Sequence, residues 1–122
     1  MNENEIHLRL CTYLKSRYPN VIFTTESSGL RVTPWQGRNL ANVRSCSGLP
    51  DIWILEPRGE YKGLFLELKK LSPFKKNGEL KKSDHLRKQY EVLSILCEKG
   101  YHAQFTTGLE ESKACVDWYM TL

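Results

Sequence analysis

The sequence predicts an α/β fold, a mixed β-sheet flanked by helices in the order α-β-β-β-α-β-α. Three observations predict it. Apolar residues recur at helical spacing over 3–18 and again over 83–99. Short β-branched and aromatic runs lie between and after those segments. Two of the runs flank the turn Pro57-Arg58-Gly59-Glu60, which predicts an antiparallel hairpin.

The first helix rests on Ile6, Leu10, Leu14 and Tyr18, with Tyr13 beside them, and Pro19-Asn20 ends it. Val21 to Thr25 is β-branched and aromatic and reads as a strand. Residues 26–48 carry turn chemistry, with Leu30-Arg31-Val32 as a candidate short strand and 38–43 as a candidate short helix. A connection this long usually carries function. Its arginines and Trp35 make it a candidate substrate-contacting segment, against the commoner fate of a tryptophan in the core. Strands are expected at 51–56 and 63–69, followed by a lysine-rich loop over 70–82. Ser83 or Asp84 caps the next helix, with a stripe of Leu86, Tyr90, Leu93 and Cys97 and a stop at Gly100. Tyr101 to Phe105 is the last strand. Thr107 and Glu110 are spaced as a capping box for a final helix to about residue 120.

At 122 residues the chain is expected to be a single domain, 1–122, with a core of ordinary size. No run has the length and apolarity of a membrane helix, and the polar, acidic start is no signal peptide. An intracellular protein is expected. Cys11, Cys46, Cys97 and Cys115 show no zinc spacing. Cys11, Cys97 and Cys115 read as small hydrophobes in helices.

Net charge is +4, and its distribution is uneven. Lys62, Lys69, Lys70, Lys75, Lys76, Lys81, Lys82, Arg87 and Lys88 hold half of the 18 basic residues. Arg31, Arg38 and Arg44 form a looser second set. A solvated face is the bland reading, and a phosphate-backbone footprint is the sharper one. The sharper one is favoured because the cluster adjoins two unusual acids.

Those acids are Asp51, in Gly48-Leu49-Pro50-Asp51, and Glu67, in Glu67-Leu68-Lys69. Each adjoins an apolar run, and a buried carboxylate needs a partner or a metal. Strand alternation points Glu67 and Lys69 to one face. A hairpin turning near residues 59–60 brings Asp51 opposite 67–69. Two acids and a lysine suit Mg²⁺ or Mn²⁺, with the Leu68 carbonyl as a further ligand. The metal would polarise a phosphate and activate water, and Lys69 would stabilise developing charge. Alone, either motif is weak; together on adjacent strands they point to phosphodiester chemistry.

With these residues the chain resembles the PD-(D/E)xK nuclease superfamily, and within it the VRR-NUC (virus-type replication–repair nuclease) group. The matching elements are Glu5 in the first helix, Ser47 to Asp51, Glu67-Leu68-Lys69, Gln89 with Leu93, Lys99-Gly100-Tyr101, and Gly108 to Glu111. The resemblance implies a restriction-endonuclease-like core and Mg²⁺- or Mn²⁺-dependent cleavage of DNA. It assigns Glu5 to the metal site through water and Gln89 to orienting the nucleophile or the lysine. Glu26, at the end of the first strand, competes with Glu5 for that place. It also implies a homodimer acting on branched DNA such as four-way junctions, as in short, often phage-encoded members. The expected nucleic-acid contacts are Arg31, Arg38, Arg44, Lys70, Lys75, Lys76, Lys81, Lys82 and Lys88. The alternative is a non-catalytic nucleic-acid-binding module on the same fold.

Overall fold

A computed structural model describes residues 1–26 and 33–122. The elements are α1 (Glu3–Arg17), β1 (Phe23–Thr25), α2 (Pro34–Asn42), β2 (Ile52–Ile54), β3 (Leu64–Lys69), α3 (Asp84–Glu98), β4 (His102–Thr107) and α4 (Gly108–Tyr119). The four strands form one sheet in the order β1-β2-β3-β4. The first two pairings are antiparallel and β3–β4 is parallel, as the crossover through α3 requires. The sheet is therefore mixed, as expected, and the elements follow the expected order along the chain.

Alternation along β3 divides the core. Leu64, Leu66 and Leu68 face one side, with Ile52 and Ile54 of β2. Ile6, Leu10 and Leu14 of α1 and Val116 and Tyr119 of α4 cover them. All of these are buried, and a buried leucine contributes about 2 kcal/mol. Leu10→Ala at the centre of this layer would cost about 2–5 kcal/mol. Asn2 caps α1 through the Glu5 backbone N–H. On the other side, Phe65, Ala103 and Phe105 pack under Leu93 of α3.

Several local expectations are corrected. In α3 the buried residues are Gln89, Val92 and Leu93, while Tyr90 is about half exposed and Cys97 is exposed. The buried face is thus rotated from the expected stripe, because Tyr90 leaves its ring in water. The short helix starts at Pro34, not residue 38, because Thr33 and Gln36 form a capping box with proline in the first turn. None of its residues is buried, and Trp35 is 65% exposed. The 70–82 loop closes on itself through a Phe74–Leu80 bridge, with a turn at Gly78. Thr107 makes no side-chain cap on α4; its backbone N–H is taken by Glu111 instead of a reciprocal bond with Glu110. The candidate strand Leu30-Arg31-Val32 and the contact expected of Arg31 lie outside the described residues.

β4 is an edge strand. Its even-numbered residues bond toward β3, as His102 N–H does to Gly63 O at 2.9 Å. The odd-numbered backbone groups face outward. Cys97 Sγ donates to Ala103 O, Gln104 Nε2 donates to Phe105 O, and Thr107 N–H donates to Glu111.

Candidate active site

The hairpin register sets the site. Ile52 pairs with Leu66, so the next residues outward are Asp51 and Glu67. The β1–β2 ladder also runs one step on, with Glu26 N–H donating to Asp51 O at 2.8 Å. Glu26, Asp51 and Glu67 therefore form a row across three strands. Residues opposite one another share a face, here the face under α3. Lys69 follows two residues after Glu67 on that face.

The row is not one cluster. Among the described residues, no three His, Cys, Asp or Glu side chains gather as a ready-made metal group. Glu26 is buried and ion-paired at 3.0 Å to Arg44, which is itself mostly buried. Arg44, expected on the nucleic acid, is thus engaged within the protein. Asp51 and Glu67 form the central pair. Asp51 Oδ2 accepts from Leu68 N–H at 2.8 Å. The ladder parity also turns the Leu68 carbonyl away from β4, toward Asp51.

Glu67 is 3% exposed, and its pKa is pushed up to about 10. Burial is the largest cause, followed by a hydrogen bond to Asp51 and the Asp51 charge. Lys69 opposes the shift, and Glu3 adds to it. Burial and the neighbouring Asp51 charge keep the proton on Glu67. A divalent cation can take the place of that proton, and carboxylate and carbonyl oxygens are the donors Mg²⁺ and Mn²⁺ prefer. The donor set therefore fits the metal.

Lys69 is buried, with its ammonium 5.9 Å from the centroid of the Phe105 ring. Phe105 is the β4 partner of Glu67, so the ring holds the ammonium beside the acids. Gln89 enters from α3, one turn before Leu93. It is 6% exposed, its amide nitrogen lies 3.1 Å from His85 Nε2, and its Oε1 is buried without a partner among the described residues. α3 is fitted closely onto the motif loop. A Cβ at Gly48 would lie 3.1 Å from Lys88 Cγ and 3.4 Å from Gln89 N. Gly48 also has φ of 78°, which suits glycine.

On α1, Glu3 rather than Glu5 reaches toward the end of β3. Glu5 is exposed, and its backbone N–H is the one capped by Asn2. Glu3 instead reaches the end of β3, where its Oε2 accepts from Lys70 N–H at 3.3 Å, and its field acts on Glu67. One signal was available in the sequence. The stripe Leu14, Leu10, Ile6 continues backward to Glu3, not to Glu5. Among the expected phosphate contacts, Arg38, Lys70, Lys75, Lys76, Lys81, Lys82 and Lys88 are exposed. Lys75 is 3.9 Å from Glu79.

No family model and no curated protein matches the sequence. Among solved structures, a VRR_NUC domain protein superposes on 100% of this chain and 90% of its own, with a TM-score of 0.68 and 20% identity. The chain has the VRR-NUC fold. On that fold, the end of the β2–β3 hairpin is where this sequence places Asp51, Glu67 and Lys69. No described helix is long and apolar enough to cross a membrane.

Proposed function

We propose that this protein is a divalent-metal-dependent DNA endonuclease, selective for branched structures and acting as a homodimer. The observation that carries the reading is the Asp51–Glu67 pair, with Glu67 buried and strongly shifted beside a buried Lys69. A fold needs no such pair, since burying Glu67 beside a second acid costs stability. Strongly shifted groups of this kind mark functional sites.

Asp51, Glu67 and the Leu68 carbonyl would hold Mg²⁺ or Mn²⁺, with Glu3 contributing from the start of α1, where it reaches the end of β3. The cation, when bound, polarises the scissile phosphate and makes water more acidic. Lys69 Nζ stabilises charge gathering on a phosphate oxygen. Gln89 Oε1 accepts a hydrogen bond and orients the group that donates it. The exposed lysines from Lys70 to Lys88 and Arg38 track the backbone of the substrate.

The test is a cleavage panel of single-stranded, duplex, flap and four-way-junction DNA with Mg²⁺, with Mn²⁺ and with EDTA. Metal-dependent cleavage, fastest on a branched substrate, is expected. Salt-sensitive binding without cleavage of any substrate would replace this reading with a non-catalytic binding module. Cleavage that persists in excess EDTA would end the metal mechanism.

A further inference from the structure

The geometry points to His85 as a positioning residue, one that fixes which end of the Gln89 amide faces the acids. This rests on the nuclease reading above and adds a residue to it.

An amide side chain has two chemically opposite ends. Oε1 only accepts, and Nε2 only donates. Gln89 is buried, so rotating its amide by half a turn exchanges the two ends within the site. The two orientations are not equivalent there. With Oε1 inward, the amide offers an acceptor to Lys69 or to an attacking water. With Nε2 inward, it offers a donor to a site that already holds a buried ammonium.

His85 lies one helical turn before Gln89, and its Nε2 is 3.1 Å from Gln89 Nε2. The amide nitrogen can only donate, so His85 Nε2 must be the acceptor. A neutral imidazole has one acceptor and one donor nitrogen, which places the ring proton on Nδ1. That tautomer holds Gln89 Nε2 outward. Oε1 is then turned inward, where it is buried and without a partner among the described residues. An unpaired buried acceptor is costly unless something fills it. The orphaned Oε1 and the His85 contact are two parts of one arrangement.

His85 itself is exposed and packs no core. Its neighbours on α3 are Asp84, Arg87 and Lys88, and Asp84 and Arg87 pair with each other at 3.3 Å. No other hydrogen bond of the His85 ring to a described residue is seen, so orienting Gln89 is what the ring does in this fold.

The test has two arms. Long-range ¹H–¹⁵N correlation on the metal-free protein reads the His85 tautomer without any reaction. The Nδ1–H form is expected, and an Nε2–H form overturns the inference. The second arm is a double-mutant cycle in the cleavage assay. His85→Phe keeps a ring but offers no acceptor. It should lower kcat about tenfold, the loss expected of one hydrogen bond, with KM unchanged. His85→Gln, which restores an acceptor, should recover most of that loss. In a Gln89→Ala background, His85→Phe should have no further effect. Wild-type kcat in His85→Phe, or additive losses in the double variant, would remove His85 from the site. Failure of wild type to cleave anything would sink the nuclease reading instead, and the tautomer result would still stand.

Discussion

Asp51 and Glu67 face each other across the β2–β3 hairpin, and a hydrogen bond between their carboxyls helps hold Glu67 protonated. The folded chain therefore keeps a proton that the unfolded chain releases. Glu67 has a pKa of about 10 when folded against 4.5 for a free glutamate. Between these values the unfolded state binds fewer protons, so stability falls as pH rises. The contribution is complete below about 4.5 and is lost progressively on the way to about 10. In EDTA, the melting temperature should decline with pH across this window. Glu67→Gln should flatten the decline, as should Mg²⁺ or Mn²⁺. A wild-type profile parallel to that of Glu67→Gln would refute the raised pKa of Glu67.

Removing the charge of either acid should abolish cleavage while sparing the fold. Asp51→Asn, Glu67→Gln and Lys69→Ala should each lose at least about a hundredfold in kcat. Binding of a junction in Ca²⁺ should stay within a few-fold of wild type. Single-turnover cleavage and gel-shift titration separate the two effects.

Glu3 and Glu5 give a sharp contrast two residues apart. Glu3→Gln should raise the Mn²⁺ concentration needed for half-maximal cleavage, because its carboxylate contributes to the field at Glu67. Glu5→Gln should leave that concentration unchanged. The reverse pattern in a metal titration would restore the assignment implied by family resemblance.

Arg44 should behave as a structural residue. Its removal leaves the Glu26 carboxylate in a site where it is 7% exposed. Arg44→Ala should cost about 2–3 kcal/mol in urea denaturation, near the lower end for a buried pair because Arg44 keeps some contact with water. A variant of full stability with weaker DNA binding would make Arg44 a phosphate contact after all.

Gly48 couples the motif loop to α3. Gly48→Ala should cost about 1–2 kcal/mol from its left-handed backbone, and the added methyl should press on Lys88. Cleavage should fall more than stability does, since the displaced helix carries Gln89. Thermal melting and kcat measured on the same preparation test this.

The helices and the hairpin were legible because their signals are local. Ile6, Leu10 and Leu14 recur at helical spacing, and the turn near Gly59 fixes the pairing that brings Asp51 to Glu67. Other features depended on context. Gln89 gains a role only through the family resemblance, because glutamine is rarely buried, and here its buried Oε1 has no partner among the described residues. Tyr90 read as core because an aromatic ring counts as apolar, although it faces water. Glu26 reads as a candidate metal-site acid because its partner, Arg44, lies far along the chain. The Thr33–Gln36 cap was hidden among turn residues, so α2 was started too late.

The caps along β4 bear on how copies of this protein can meet. An open strand edge is an invitation to any extended peptide. Here a thiol, an amide and a carboxylate already occupy three of the outward backbone positions, at Ala103, Phe105 and Thr107. A second molecule that tried to extend the sheet from β4 would first have to evict them. Any contact made at the β4 edge would therefore have to use side chains rather than a continued sheet. Occupied backbone groups of this kind disfavour edge-to-edge pairing at β4.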